Sequence, residues 1–427
     1  MRPAFPPPRA ARGRGRRMPP LARPDAAEGA DLLPELPGPA GVLLWGALRD
    51  FLLWVESPAG RRAGLYGPGA GDLRRQELAA VVPDQELWAP LLTLAQMTDA
   101  PDRAEPARVV FAVRALARWA ERSGAPATRL AFTRAAALAL PQDAALALET
   151  GRLARDLAHH AQAETWFRRA IRLARGRDWE AYAWGFIGLG VQYVRSGNYP
   201  AAQTVFGRAL RSARKRRLRA LEASSLHHLF TCAAEGRDLR LAYGHADAAL
   251  AAYGPGHHRI PALGMDLARL WMHLGRFERA LPVFEALTPL MSQQPDDIIC
   301  WSNLARAAAG CGARGRYELA REETLERIAR SPAGTRVSEA WAIVAWADAE
   351  AGEWERAAEA AARAVDVATA RGEAETLLLA EAQLQSARER VASRADHWAE
   401  EPACAPEGNR LAGELLLRIR ELEPAGA

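Results

Sequence analysis

The sequence predicts an all-helical repeat protein, and three observations lead to that prediction. Apolar residues recur at helical spacing over most of the chain from about residue 105 onward. A small residue near the start of every second predicted helix recurs at steps of 35 to 40 residues. Turns with a glycine followed two positions later by an aromatic residue recur between the predicted helices. A period of this length is typical of stacked helical hairpins, each of which buries its apolar face against its neighbours.

The composition excludes several classes of protein. Of the 427 residues, 49% are hydrophobic and 25% are charged, which is typical of a globular chain rather than a disordered one. Four cysteines are too few for a disulfide-stapled secreted scaffold. The sequence contains no uncharged apolar stretch of about 18 residues, so we expect no membrane contact. Lys215 is the single lysine, which excludes any mechanism that needs a lysine elsewhere.

The net charge of +5 comes from the beginning of the chain. Residues 1–17 contain six arginines and no acidic residue, and without them the net charge would be −1. Residues 1–39 contain ten prolines and little apolar periodicity, and such a segment cannot bury enough surface to offset its ordering entropy. We therefore predict a disordered Arg/Pro-rich segment over residues 1–38. The alternatives are translation from Met18 and a basic arm for nucleic acid or membrane.

Residues 39–100 are predicted to form an N-terminal helical domain or cap. The stretch 41–56 is apolar around most of a helical circumference, so it should be buried on several sides, as a cap or as a dimer element. The glycine-rich stretch 64–72 lacks the Gly-Lys-Ser/Thr ending of a phosphate-binding loop, and we interpret it as a linker. Pro101 ends this block.

Residues 183–216 show the repeated unit in full. Its signature positions are Phe186, Leu189, Gly190 and Tyr193 on a first helix, and Ala202, Phe206 and Ala209 on a second. The small residues let two antiparallel helices approach closely, and the large residues fill the space toward the next hairpin. This pattern resembles the tetratricopeptide repeat (TPR), a helical hairpin of about 34 residues.

The same register recurs over residues 101–370. The small residue at the start of the second helix falls at Thr128, Ala163, Ala202, Ala242, Ala280, Ala320 and Ala357. The aromatic residue four positions later falls at Phe132, Phe167, Phe206 and Phe284. The resemblance implies an all-α fold, a right-handed α-solenoid of about seven TPR-like hairpins with N- and C-terminal helical caps. Residues 371–427 are predicted to supply the C-terminal capping helices. The last of these helices should pack against another surface through its apolar face.

No pattern of catalytic or metal-binding residues emerges from the sequence. Adjacent histidines occur three times, at His159–His160, His227–His228 and His257–His258, but neighbours on a helix point about 100° apart and cannot ligate one metal from one face. The cysteines Cys232, Cys300, Cys311 and Cys404 lack Cys-x-x-Cys spacing, and nucleotide-binding and nucleophile motifs are missing. We therefore predict no enzyme activity, no metal and no cofactor. The alternative is an active site between a cap and the groove.

The TPR resemblance implies a concave groove lined by the first helix of each hairpin. The predicted partner-binding residues on that face are Arg152, Arg155, Trp184, Ile187, Val191, Arg195, His227, Met265, Arg269, Met272 and Trp346. Arginine, aromatic and methionine side chains together are typical of a peptide-binding groove. The carboxylate clamp of chaperone-binding TPR domains is not expected, because Lys215 falls on a second helix and the groove face has almost no asparagine.

A second surface candidate is the basic stretch 208–219. Arg208, Arg211, Lys215 and Arg219 are spaced to form one stripe along a helix, which could grip a phosphate backbone or an acidic peptide. The alternative is a solvated helix end, where cations meet the negative end of the helix dipole. No exposed aromatic residues are interleaved with the stripe, which argues against single-stranded nucleic acid.

The sequence thus predicts a cytoplasmic, non-catalytic scaffold that binds a protein or peptide partner in the groove. Two other functions stay open. One is a regulatory sensor whose superhelix responds to a peptide, and the other is a nucleic-acid-associated regulator that uses the basic stripe. The partner and the oligomeric state are not predicted.

Overall fold

The computed structural model describes residues 18–20, 28–81, 84–292, 296–330, 336–391 and 405–422. Within these ranges the regular structure consists of twenty α-helices and one 3₁₀ turn, Ala59–Arg61, with no strand, which confirms the predicted all-α class. No helix in the described ranges is long and apolar enough to cross a membrane. The chain divides into two compact units, Met1–Leu221 (unit 1) and Glu222–Ala427 (unit 2).

Unit 1 begins with four helices that precede the repeats. They are α1 (Leu32–Glu35), α2 (Pro39–Glu56), α3 (Ala70–Val81) and α4 (Gln85–Asp99). The apolar helix α2 packs against α1, α3 and α4, and its Leu44, Leu48 and Phe51 are fully buried. The predicted burial of this stretch on several sides is therefore confirmed.

The prediction of disorder through residue 38 is wrong for residues 28–38. Leu32 on α1 is fully buried. The carboxylate of Glu35 accepts hydrogen bonds from the backbone N–H groups of Ala127 and Thr128, at 2.9 and 2.8 Å, at the start of a later helix. An acidic side chain satisfies orphan donors and the positive end of the dipole there. Residues 1–17 and 21–27, which the same prediction covered, lie outside the described residues.

In the residues that the structure describes, seven helical hairpins follow, in the order that the repeat register predicts. Those of unit 1 are α5/α6 (Pro106–Arg122, Pro126–Ala139), α7/α8 (Ala144–Asp156, His160–Ala174) and α9/α10 (Trp179–Arg195, Tyr199–Arg216). The next is α11/α12 (Arg219–Glu235, Leu239–Tyr253), whose first helix begins at the unit boundary. Those that follow in unit 2 are α13/α14 (Ile260–His273, Phe277–Met291), α15/α16 (Asp297–Gly310, Arg314–Arg330) and α17/α18 (Val337–Glu350, Trp354–Arg371). The described helices therefore form an array of helical hairpins, as the sequence predicts.

The predicted register is confirmed by burial. All seven small residues near the start of the second helices are at most 1% exposed, and so are all seven residues four positions later. Glycines on the first helices make the close approach possible. A Cβ on Gly190 would lie 2.4 Å from the Phe206 ring, and one on Gly188 would lie 2.3 Å from the Phe167 ring. No side chain fits there unless the phenylalanine moves.

Each hairpin turns through one residue with left-handed backbone conformation. These residues are Gly124, Ala158, Gly197, Arg237, Gly275, Gly312 and Gly352, with φ between 58° and 78°. One of the predicted turns with a glycine two positions before an aromatic residue, Gly315 with Tyr317, is not a turn, because Gly312 makes the turn and α16 has already begun at Arg314. The turn in this hairpin lies eight residues before the small residue Ala320, rather than four or five.

Two helices follow the repeats, and only the first packs as the predicted cap. α19 (Ala374–Glu389) packs on α17 and α18 at the end of the array. α20 (Ala405–Arg420) instead packs against α12, α13 and α14, with Leu411, Leu415 and Ile419 buried. The prediction that this helix docks through its apolar face is confirmed, but the prediction that it caps the array is wrong.

Candidate binding face

The first helices of unit 2 form a recessed surface that we call the α13–α19 face. A cavity of about 100 Å³ there is lined by residues from four successive helices, α13, α15, α17 and α19. They include Arg269, Met272, Asn303, Arg306, Ile343, Trp346 and Leu379. A second cavity, of about 160 Å³, lies between α11 and α13, and Arg269 and His273 line both. Three of the predicted groove residues, Arg269, Met272 and Trp346, therefore come together.

The wall of the α13–α19 face combines buried polar groups with an aromatic ring. The Arg306 guanidinium lies 4.3 Å from the centroid of the Trp346 ring, and Arg306 is only 3% exposed. Asn303 donates from its amide to the backbone carbonyl of Ile299 at 2.8 Å, within its own helix. The indole Nε1 of Trp346 is buried and makes no hydrogen bond in the described residues. A buried donor of this kind is rare in native proteins.

Arg269 is placed to meet an anionic group. It is half-buried, it lies where the two cavities join, and it makes no hydrogen bond or ion pair within the described part of the chain. Burial raises the pKa of Glu235 across the α11–α13 cavity, against the opposing charge of Arg269. Cation, aromatic ring and apolar floor thus lie within one surface, which suits a peptide with an acidic group beside an apolar side chain.

His227 and Met265 were predicted on the same face, but the structure buries both side chains in unit 2 and neither lines the two cavities. The Nε2 atom of His227 lies 2.9 Å from the Asp266 carboxylate and its Nδ1 atom lies 3.3 Å from the Tyr253 hydroxyl. Burial acts to raise the pKa of Asp266, but the hydrogen bond with His227 and the surrounding charges, that of Arg269 among them, together outweigh burial and lower that pKa. His227 therefore links three elements of unit 2 rather than facing a ligand.

The other predicted groove residues lie in unit 1 and form their own set. They are Arg152, Arg155, Trp184, Ile187, Val191 and Arg195, on α7 and α9. Arg152 stacks on Trp184 at 5.0 Å, and Arg195 donates to the backbone carbonyl of Arg155 at 3.0 Å. Arg155 pairs with Asp156 at 2.9 Å, while Ile187 is buried. Within this set the cations already have partners in the protein.

The predicted basic stripe is not continuous. Arg217 adopts left-handed backbone conformation (φ 56°) and ends α10, so Arg219 lies on the next helix. Only Arg208, Arg211 and Lys215 share α10, and all are exposed.

Two aromatic rings lie beside cations of α10, but the ring next to the stripe, Phe186, is buried rather than exposed. Arg208 stacks on Phe186 at 5.9 Å and Arg216 on Trp179 at 4.1 Å. Both rings come from α9, which a pattern read along α10 alone cannot reveal.

Asn303 and Arg306 are two residues of the α13–α19 face that the sequence did not identify. They lie three positions apart on α15, a spacing that places both on one side of a helix. That spacing is the signal that could have found them. The turn of hairpin α15/α16 departs from the common register, so the face of α15 was harder to assign.

The described residues contain no group of three His, Cys, Asp or Glu residues that could hold a metal ion. Cys232 and Cys300 are buried, and burial raises the pKa of the Cys232 thiol to about 11, far from a reactive thiolate. The third cysteine placed by the structure, Cys311, is exposed beside a hairpin turn. Cys404 lies outside the described residues.

Comparison with known proteins gives only faint structural likenesses. The sequence matches no protein-family model and no curated protein. A Rap protein complexed with competence and sporulation factor is similar over 87% of this chain and 100% of its own, with 11% identity and a TM-score of 0.44. The TPR2AB domain of yeast Sti1 in complex with pHSP90 is similar over 66% of this chain and 99% of its own, with 14% identity and a TM-score of 0.24. The TPR domain of P58(IPK) is similar over 81% of this chain and 97% of its own, with 16% identity and a TM-score of 0.22.

Proposed function

We propose that this protein is a non-catalytic scaffold that binds a peptide segment of a partner protein on the α13–α19 face. Arg269 carries the proposal, because it lies where two cavities meet and makes no hydrogen bond or ion pair in the described residues, although the carboxylates of Glu235 and Asp266 line the same cavity. A ligand carboxylate placed there gains a charge-assisted hydrogen bond, and a neighbouring apolar side chain of the ligand fills the cavity beside Met272 and Trp346.

The buried polar wall gives this surface selectivity. Arg306 and Asn303 place a cation and an amide in a largely apolar setting, which favours a ligand with polar acceptors over a purely apolar one. The proposal retains the predicted cytoplasmic location and needs no cofactor.

The nucleic-acid alternative has lost its main support. Its four-residue stripe is split between α10 and α11. The α13–α19 face also mixes cations with the carboxylate of Glu339, which suits a peptide better than a phosphate backbone.

A random-peptide display library selected on the intact chain tests the proposal. We expect the selected peptides to share an acidic residue next to an apolar one. Arg269→Glu should weaken their binding roughly 10- to 100-fold, the value of one charge-assisted hydrogen bond. Arg363→Glu is the matched control, because Arg363 is an exposed arginine on α18 that lines neither cavity.

The result that contradicts the proposal is equally definite. It is a set of peptides that bind wild type, Arg269→Glu and Arg363→Glu with the same affinity. Failure to select any peptide would contradict it as well. Melting curves of the two variants establish that both remain folded.

A further inference from the structure

Unit 1 contains a cleft between α8 and α10, which we call the α8–α10 cleft. Its volume is about 480 Å³, its floor is α9, and Pro19 from the N-terminal part of the chain lines it as well. Four arginines line it: Arg168, Arg172 and Arg175 from α8 and its end, and Arg208 from α10. Among the described residues that line it there is no aspartate or glutamate.

The positive charge of the cleft is only partly balanced inside the protein. Arg168 pairs with Glu164 at 2.5 Å and donates to the Tyr193 hydroxyl at 3.0 Å. Arg208 lies over the ring of Phe186. Arg175 is exposed and makes no hydrogen bond or ion pair in the ranges that the structure describes. The cleft is therefore electrostatically complementary to a ligand that carries several negative charges.

The floor of the cleft is apolar. Phe186, Leu189 and Val205 line it, each with 5% to 7% of its surface exposed, and Ile171 forms part of the wall. A bare polyanion would leave this floor in contact with water. A ligand with one apolar and one acidic side would cover both the floor and the arginines.

The corresponding surface of unit 2 lies between α12 and α14, and we call it the α12–α14 seam. The helix α20 covers this seam. Arg168 lies five residues after the small residue Ala163 of α8. The corresponding position in α12, five residues after Ala242, is Asp247. Asp247 pairs with Arg410 of α20 at 2.8 Å. Corresponding positions thus carry opposite charges, and in unit 2 the helix that packs on the seam carries the complementary one.

The floors of the two seams correspond as well. Phe186 lies sixteen residues before Ala202, and Gly264 lies sixteen residues before Ala280. Gly264 lets α20 approach so closely that a Cβ there would lie 3.3 Å from Ile419 Cδ1 and 3.6 Å from Leu415 Cδ1. Phe186 raises the floor in unit 1, so a helix in the α8–α10 cleft would rest on its ring rather than reach the α9 backbone.

We propose that the α8–α10 cleft binds an acidic amphipathic helix of a partner protein, the charge-reversed counterpart of α20. Apolar residues on one side of this helix pack on Phe186, Leu189 and Val205, and flanking carboxylates pair with Arg175 and Arg208. The proposal does not depend on the α13–α19 face, because the cleft lies entirely within unit 1.

The probe is a synthetic peptide based on α20 itself. It has the sequence of residues 405–422 with Arg410, Arg418 and Arg420 replaced by glutamate, so that its apolar side is unchanged and its charge is reversed. Fluorescence anisotropy of the labelled peptide with the intact chain should give saturable binding. The unaltered sequence should bind at least roughly tenfold more weakly, because it presents arginines to arginines.

Two double variants locate the binding site. Arg175→Glu with Arg208→Glu should weaken the acidic peptide roughly 100-fold, the loss expected for two charge-assisted pairs. Arg211→Glu with Lys215→Glu changes the net charge equally on neighbouring α10 positions outside the lining, and should change affinity less than about threefold. Circular dichroism establishes that both variants are folded.

Three results would overturn the proposal. The first is that the acidic peptide shows no saturable binding. The second is that both double variants lose affinity equally, which would mean that general charge attraction holds the peptide. The third is that a single-stranded oligonucleotide displaces the peptide and needs Arg175 and Arg208 for its own binding, which would make the cleft a nucleic-acid site.

Discussion

The α8–α10 cleft of unit 1 and the α12–α14 seam of unit 2 hold the same position in the repeat, yet they carry opposite side chains. The first has Arg168 and Phe186 where the second has Asp247 and Gly264. In unit 2 a helix of the same chain packs on α12, α13 and α14, whereas the cleft of unit 1 is an open, arginine-lined space of about 480 Å³.

The comparison teaches that two positions decide what a seam can hold. The position on the first helix sets the depth, because glycine lets a covering helix approach the backbone, whereas phenylalanine holds such a helix on its ring. The position on the second helix sets the sign of the charge that the occupant must carry. The repeat fold is the same in both places, so function depends on these side chains rather than on the fold.

The largest effect should come from a chain that ends at residue 391 and so lacks α20. Three side chains, Leu411, Leu415 and Ile419, lose their burial, and we expect unfolding of unit 2 to become easier by roughly 3–6 kcal/mol. Hydrogen exchange of α12 and α14 should rise at the same time. A chain that ends at residue 422 is the control and should behave as wild type. Unchanged exchange in the shorter chain would mean that α20 adds nothing to the seam.

A smaller effect is expected when the floor of unit 1 is copied into unit 2. Gly264→Phe forces a ring into the space of Leu415 and Ile419, which should cost about 1–3 kcal/mol and release α20. Gly264→Ala is the control. Its methyl group would meet only the ends of flexible side chains, so it should cost less than about 1 kcal/mol. Hydrogen-exchange rates of residues 405–420 measure the release of α20. Equal rates in both variants would contradict the inference that the side chain at position 264 decides how closely α20 can pack.

The smallest effect concerns the charge pair. Asp247→Arg places two arginines together at a surface where both partners are about half-exposed, so α20 should be weakened by roughly 0.5–1 kcal/mol. Adding Arg410→Asp should restore most of that loss, and high salt should reduce the difference. If the double variant is no better than the single one, the charge on the second helix does not select the occupant.

The sequence predicted the repeats well because their determinants are local. A small residue such as Ala202 can be recognised from the sequence alone, since its partner Phe206 lies one helical turn away and its turn residue Gly197 lies five residues earlier. The same short-range pattern placed all seven hairpins. The position of α20 depends instead on contacts across more than 100 residues, such as that between Arg279 and Asn409, and no local pattern encodes it.

The candidate sites were predicted less completely for the same reason. Arg269, Met272 and Trp346 were placed on one face because the register of α13 and α17 was clear. His227 was assigned to that face because the pattern could not anticipate its hydrogen bond with Asp266, 39 residues later. The α8–α10 cleft was missed because its arginines and its aromatic floor come from three different helices.

The packing of α20 also has a consequence for folding of the protein during its synthesis on the ribosome. Asp247 and Arg410 are 163 residues apart, so at about 5–20 residues per second roughly 10–30 s pass between their synthesis. Through that interval the apolar floor around Gly264 is without its covering helix and is exposed to chaperones and to neighbouring nascent chains. Unit 2 can therefore complete its folding only after residues 405–420 have emerged. A slow codon or a premature stop between residues 292 and 404 would leave the apolar surface of the α12–α14 seam uncovered and able to bind other apolar surfaces.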